Sequence, residues 1–584
     1  MSKTKVLAWK RVDWAKVHSR VRRYQFRIFK ASTMGNQALV HKLQLKLINS
    51  LDSKLVSIQR VTTLNKKNKG ENMRGVDRLV VTTDTQKIKL AYNLKLDGKA
   101  SPILRVYIPK PGMVEKRPLG IPAIRDLAKQ CLAKLALEPE WEAKFESNAY
   151  GFRPGRSCQD AIEAIFTQLR RKEQFVLNAD IAKCFARIDH NALISKLNTF
   201  PLMEKQIKVW LKAKIMEEYA NRAKSVVVTT EDTTQSGIIS PLLANIALHG
   251  LENYLKDWYV KEQRHLYSSN KHQGITQSKQ ELGVIRYADD FVVIAPYKGV
   301  IEAAYRQIEC WLECIGLEIS SQNPQTCSSY EGFIFLGFHI ITIKKDQKHK
   351  VKIHISRANK ARLIDKIGLL SRTRRSASAY CFIKELSPII ISWGNYFKYC
   401  ESSKEFQQMD NRIYNILRKW VFRRKAKGMS KSSLKEKYFP EGKELKWQGK
   451  VHRDNWVFYG SITKYGNKVE TFLPKLSWIP SSSFVKVKDS HSPYNGDYMY
   501  WTKRLLSYNH YGYTKTRLIK RQKGQCGICN HFFITGDLLE LDHITPIFHG
   551  VKSTYINLQV IHSYCHVSKI AFDKSTERSV PKRT

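Results

Sequence analysis

The stretch Val284-Ile285-Arg286-Tyr287-Ala288-Asp289-Asp290-Phe291-Val292-Val293-Ile294 sets two adjacent carboxylates between two apolar, β-forming runs. Such runs predict two strands, and the acids between them predict a hairpin turn. Neighbouring carboxylates repel each other unless a cation sits on them. Phosphoryl transfer from a nucleoside triphosphate uses two divalent ions to hold the attacking and leaving oxygens in line, and magnesium prefers hard oxygen ligands. An exposed Asp-Asp turn is the plain alternative for the dipeptide alone; the tyrosine and both flanking strands favour a metal-binding turn. That reading requires a third carboxylate from a separate strand, and Phe175-Val176-Leu177-Asn178-Ala179-Asp180 offers Asp180 at a strand end.

Outward from this turn, short β-rich runs such as Arg105-Val106-Tyr107-Ile108-Pro109 alternate with helical segments from residue 75 to 345, an α+β pattern. Before it, Leu39, Val40, Leu43, Leu47 and Leu51 recur at helical spacing until the polar stretch 65–72 marks a boundary. After it, Leu363, Ile367 and Leu370, then Ile383, Leu386, Ile390, Trp393, Tyr396 and Phe397 predict a helical bundle over 358–427. Beyond residue 428 the chain reads as basic, aromatic and irregular. A compact cysteine- and histidine-rich unit begins near Arg517.

Lysine and arginine total 100 against 51 acidic residues in 584, a formal charge of +49. Self-repulsion of that size needs a polyanion to offset it, and basic residues interleaved with aromatic rings suit a groove that tracks phosphates while rings stack on bases or pack its walls. A solvated basic surface is the bland alternative. No apolar run approaches bilayer length, and the arginine-interrupted start predicts no signal peptide. Eleven cysteines, most of them isolated, argue for a reducing interior rather than a disulfide framework.

Cys526-Gly527-Ile528-Cys529 has zinc-knuckle spacing, and His562-Ser563-Tyr564-Cys565 repeats it. Four such ligands close one tetrahedral site, which a unit too small for its own core needs for stability. A purely structural ribbon explains those four residues. It leaves Asp542-His543 and the extra His566 without a role.

These blocks together resemble a group II intron-encoded protein, a reverse transcriptase and maturase. The resemblance covers nearly the full length and runs in family order. It takes in Gly75-Val76-Asp77; Tyr107-Ile108-Pro109-Lys110 with Lys116-Arg117-Pro118-Leu119-Gly120-Ile121-Pro122; and Tyr150-Gly151-Phe152-Arg153-Pro154-Gly155-Arg156. It continues through Asp180 to Phe185, Gln235-Ser236-Gly237, Ser240 to Asn245, the Tyr287 turn, and Gly332 to Gly337. The resemblance implies that Asp180, Asp289 and Asp290 hold two magnesium ions and that Lys110 and Arg117 bind the incoming triphosphate. It further implies that Phe185 closes against the sugar 2′ position and that Gln235 lies against nucleotide or template. Three positions depart from the family pattern: Ala186 after Phe185, Ser236 after Gln235, and Gln325 before Thr326. They are read either as decay or, for Ala186, as a functional substitution.

The C-terminal pattern resembles an HNH endonuclease. There His543 is expected as the base that activates water and Asp542 with His566 as holders of a catalytic divalent ion. Asn557 would orient the loop carrying His543, and Cys526, Cys529, His562 and Cys565 would bind structural zinc. The expected architecture is a multidomain α+β chain: a right-hand polymerase with fingers and palm, a helical thumb, and a small zinc-bound ββα-metal domain. Expected bounds are an N-terminal RNA-binding extension over 1–74, fingers and palm over 75–345, thumb or maturase domain over 346–440, DNA-binding connector over 441–516, and nuclease over 517–584. Arg418, Lys419, Arg423, Arg424 and Lys425 are expected to hold nucleic-acid phosphates, with a solvated basic helix as the alternative for any one of them. Implied partners are intron RNA, double-stranded target DNA and deoxynucleotides, in a ribonucleoprotein formed alone or as a dimer, at the nucleoid of a bacterial or organellar interior. A splicing cofactor whose polymerase has decayed is the rival reading, as is a nuclease on an inert polymerase-like scaffold.

Overall fold

The computed structural model describes residues 8–67, 81–109, 116–170, 173–217, 225–227, 237–263, 279–320, 325–346, 348–424, 429–488, 491–508, 511–547, 551 and 554–579. Gly75 to Asp77, Lys110, Gln235, Ser236 and Lys425 lie outside them, as does the Arg117 side chain.

Helices α1 (Trp14–Thr33), α2 (Gln37–Asn49) and α3 (Leu51–Lys67) open the chain. The Asp13 and Asn36 side chains accept the backbone N–H groups of Lys16 and Leu39, which caps the first two helices. Val17, Val21 and Ile28 of α1 recur at four and seven and Val40, Leu43 and Leu47 of α2 at three and four, and all are buried. They pack on the long helix Ile124–Lys144, where the Gln44 amide also donates to Glu140 at 2.6 Å.

Strands β1 (Ile103–Pro109) and β2 (Lys116–Ile121) form a hairpin that β4 (Ile215–Glu217) and β5 (Ser225–Val227) extend in the order β2-β1-β4-β5. The second sheet contains β3 (Phe175–Asp180), β6 (Gly283–Tyr287), β7 (Asp290–Ala295) and β8 (Gln325–Ser328) in the order β6-β7-β3-β8, every neighbour antiparallel. Val292, Val293 and Ile294 are fully buried because helices cover the sheet, and an apolar run without alternation is the sequence signature of such a strand. A third sheet joins β9 (Phe333–Phe335), β10 (Phe338–Lys345) and β11 (Lys348–Ile355). Its β10–β11 hairpin pairs residue by residue from Phe338 with Ile355 to Lys345 with Lys348, so the expected boundary at 345/346 falls at a hairpin tip. Helices Arg357–Thr373, Ala379–Phe397 and Ser403–Phe422 make the expected bundle, with Leu363, Ile367, Ile383, Leu386, Ile390 and Phe397 in its core.

The segment expected to be irregular is ordered instead. Helix Lys431–Tyr438 is followed by hairpins β12 (Leu445–Trp447) with β13 (Lys450–His452) and β14 (Tyr459–Lys464) with β15 (Asn467–Phe472). The turns Gln448-Gly449 and Tyr465-Gly466 have positive φ at both residues, the geometry that two-residue hairpins need. Strands of three to six residues are too short for an alternation to show in the sequence. The aromatic connector is also spent on packing: Trp478, Phe484 and Trp501 are buried, and Trp501 lies so close to Gly155 that a Cβ there would come within 2.3 Å of the ring. Arg504 pairs with Asp160 at 3.1 Å and Tyr494 donates to Glu138 at 2.6 Å, tying the connector to helices Cys158–Leu169 and Ile124–Lys144.

The C-terminal unit holds helix Tyr513–Arg521, β16 (Leu539–His543), β17 (Leu558–His562) and helix Ser563–Ser579. It does not stand apart on its cysteine and histidine cluster alone. Leu518, Ile519, Phe533, Val560 and Ile561 continue the same buried cluster as the N-terminal helices.

Candidate active sites

The first site forms at the end of the β6-β7-β3-β8 sheet. Asp180 and Asp290 are register partners across β3 and β7, while Tyr287 pairs with Asp290 so that Ala288 and Asp289 make a two-residue turn. Ala288 takes φ +60°, rare for a residue with a Cβ, and the surroundings hold it there. Buried Arg286 donates from Nη1 to the Ala288 carbonyl at 3.1 Å and to Asn245 Oδ1 at 3.0 Å; the Asn245 amide in turn donates to the Gly151 carbonyl at 2.8 Å. Gly151 runs against the turn, where a Cβ would lie 2.2 Å from Ala288 N. The Ile181 amide donates to the Asp289 carbonyl from the other side.

Burial, followed by the charges of Asp289 and Asp180, pushes the Asp290 carboxyl up to about 6. Burial and Asp289 raise Asp180 as well. Among the described residues no basic group offsets either shift. Partly buried acids clustered without a counter-charge are the donor set that hard divalent cations take.

Phe185 sits on the short helix Cys184–Arg187, entered through Lys183 at φ +45°, and its ring meets Phe152 edge-on at 6.5 Å. Ala186 uses its amide in the turn to the Lys183 carbonyl. Gln325 begins β8 opposite Asn178 and is exposed. Arg117 falls on β2 opposite Ile108. Arg418 and Lys419 are exposed on helix Ser403–Phe422, as is Arg423 just past its end. Arg424 is not available in the same way: it stacks over Trp420 at 3.6 Å and donates to the Arg375 and Ala377 carbonyls.

The second site lies on the β16–β17 hairpin and helix Ser563–Ser579. Asn557 brackets the chain after His543, accepting from the Thr545 amide and donating to the Thr545 carbonyl, both at 2.9 Å, while its own carbonyl accepts from Ile544. Asp542 Oδ1 and His566 Nε2 are 3.6 Å apart. Two ligands each about 2.1 Å from one ion lie roughly 3 to 3.5 Å apart, so the pair fits a shared cation. His566 Nδ1 lies 2.6 Å from Glu540 Oε2, which leaves Nε2 facing Asp542. Lys569 Nζ is 2.8 Å from Asp542 Oδ2 and also donates to the His543 carbonyl.

The four Cys and His ligand atoms converge: Cys526, Cys529, His562 and Cys565 all lie within 4.8 Å of one another. Asn530 at φ +55° returns its amide to the Cys526 carbonyl, shaping the knuckle. Three sulfurs and one imidazole nitrogen at this spacing fit zinc.

Sequence reasoning missed Gly151, Asn245 and Arg286 as supports of the turn, although all three lie inside quoted motifs. Glu540 was legible, since residues two apart share a strand face and Asp542 was already singled out. Lys569, one helical turn after His566, carried a similar signal.

Four family models match the chain. They are the reverse transcriptase (RNA-dependent DNA polymerase) over residues 108–340, the N-terminal domain of reverse transcriptase over 9–94, the group II intron maturase-specific domain over 360–439, and the HNH endonuclease over 526–571. Protein YkfC of Escherichia coli is 32% identical over 303 residues, 47% of this chain and 77% of that protein. The group II intron-encoded protein LtrA of Lactococcus lactis is 29% identical over 337 residues, and the chain spans only 55% of its length. Maturase-like protein 1 of Euglena gracilis is 23% identical over 402 residues, 66% of this chain and 77% of that protein.

Proposed function

From its membership of the group II intron-encoded reverse transcriptase family, to which this chain belongs, we infer that the protein copies its intron RNA into DNA and assists that RNA in splicing. Its HNH unit nicks a target duplex, and the new 3′ end primes synthesis along the RNA. The observation that carries the polymerase reading is the direct pairing of Asp180 with Asp290, with Asp289 in the adjoining turn.

Asp180, Asp289 and Asp290 would hold two magnesium ions, which stabilise the attacking and leaving oxygens of the transferred phosphoryl group. Arg286, Asn245 and Gly151 fix the turn that carries two of those carboxylates. Phe185 would exclude a 2′-hydroxyl by bulk, while Lys110 and Arg117 would meet the triphosphate and Gln235 the nucleotide or template. In the nuclease, His543 would take a proton from water, Asp542 and His566 would hold a divalent ion that supplies charge stabilisation at the scissile phosphate, and Glu540 would orient His566. Cys526, Cys529, His562 and Cys565 would hold structural zinc.

The proposed setting is a ribonucleoprotein inside a bacterium or organelle, close to the DNA it invades. No helix among the described residues is long and apolar enough to cross a membrane. The test is primer extension on an RNA template with deoxynucleotides and magnesium, run beside nicking of a duplex target. Extension together with nicking is the expected result. Splicing support without extension would leave the cofactor reading, and nicking alone would leave the inert-scaffold reading.

A further inference from the structure

The zinc ligand His562 is approached from outside its own unit. Helix α1 presents His18 and Arg22, four residues apart and therefore on one face. Arg22 Nη2 donates to Asp537 Oδ1 at 2.6 Å, and Asp537 Oδ2 lies 3.2 Å from His562 Nε2. One turn earlier, the His18 ring stacks on Tyr564 at 4.2 Å, and Tyr564 stacks on His562 at 4.6 Å with only 8° between the planes. Both paths end on the same imidazole, whose Nδ1 faces the cysteines, 3.4 Å from Cys529 Sγ.

Each side of the contact is anchored in its own body. His18 is hydrogen-bonded to Gln59 of α3 at 2.9 Å, and Asp537 also accepts the Ile534 amide at 2.9 Å. The Asp537 side chain is 13% exposed and that of His562 is wholly buried. A carboxylate so enclosed needs a counter-charge, and Arg22 supplies it from 515 positions away in the chain. A carboxylate behind a metal-bound imidazole fixes the ring and raises its basicity, and removing such a partner typically costs about 10 to 100-fold in metal affinity.

We propose that Arg22 and Asp537, with His18 and Tyr564 beside them, are positioning residues for the zinc site, so that the nuclease unit's hold on zinc depends on its docking against α1. Docking depends on zinc to the same degree, because coupling between two equilibria is reciprocal. The inference rests on reading the four Cys and His residues as a zinc site.

The experiment uses the full chain. Zinc content is measured first, then the rate at which zinc passes to a chromogenic chelator, then the absorption of the cobalt-substituted protein. The parent should hold one zinc per chain. Arg22→Ala should release it about ten times faster or more and shift the cobalt–thiolate absorption, while Arg22→Lys should restore most of the retention. His18→Ala removes the ring contact and the hydrogen bond to Gln59 but leaves the buried Arg22–Asp537 pair intact, and should accelerate release by less. In the parent, chelation should speed amide hydrogen exchange along α1. A parental release rate and cobalt spectrum in both Arg22→Ala and His18→Ala would overturn the coupling, as would α1 exchange indifferent to chelation. A parent without zinc would overturn the ligand reading, and the coupling with it.

Discussion

Asp180 and Asp290 face each other directly across the antiparallel β3–β7 pair, with Asp289 next in chain at the turn. The pairing concentrates negative charge at one sheet end, and the surrounding burial raises the Asp290 carboxyl to about 6.

A carboxyl raised on folding contributes stability that is fully present below its unfolded value and lost as pH rises through its folded value. Asp290→Asn cannot ionise, so it should stabilise the metal-free protein at pH 7 by roughly 1 to 3 kcal/mol. Parent and variant should converge near about pH 4. Thermal melts across that range, in a chelating buffer, measure the difference. Equal stability at pH 7 would mean that Asp290 is not strained by its neighbours. The same variant should lose DNA synthesis through loss of a proposed metal ligand.

Gly151→Ala tests the support of the turn. The new Cβ would come within 2.2 Å of Ala288 N, and backbone cannot yield as a flexible side chain can. The turn should shift, displacing both aspartates, and single-nucleotide incorporation should slow by about 100-fold. Duplex nicking should keep its parental rate. Parental incorporation would show that the turn tolerates the displacement.

Glu540→Gln removes the carboxylate behind His566 while leaving every proposed ligand in place. Nicking should then need about 10 to 100-fold more divalent ion for half-maximal rate, with the saturated rate changed less. Zinc content should stay at one per chain. An unchanged metal dependence would reduce the Glu540 contact to a surface ion pair.

His543→Ala separates the two catalytic ends. Nicking should fall by roughly 100 to 10,000-fold, the range for a lost general base, while extension from a supplied primer persists. Nicking at the parental rate would exclude His543 as the base. Loss of both activities would indicate damage to the fold, which zinc content would also report.

Much of this protein is local in sequence, and that part was legible without the structure. The turn Ala288-Asp289, the capped N-terminal helices, the bundle and the two ligand pairs each depend on residues within a few positions of one another, where periodicity and spacing carry the information. Even Asp180 could be chosen, because the chemistry demands a third acid at a strand end. The hairpins after residue 440 escaped notice because their strands are only three to six residues long, too short for an alternation to show, and the connector rings stayed open between stacking on bases and packing because composition does not reveal which face a ring takes.

What only the tertiary structure decided is register and contact over long separations. Nothing near Asp180 specifies that it pairs with Asp290 rather than with a neighbour one residue along, since that choice depends on which faces of β3 and β7 the surrounding helices bury. The Gly151 approach to Ala288 follows from the same assembly. The link from Arg22 through Asp537 to His562 spans almost the whole chain: the charge on Arg22 was visible from the start, but its partner was set by burying the N-terminal helices and the C-terminal unit in one continuous core.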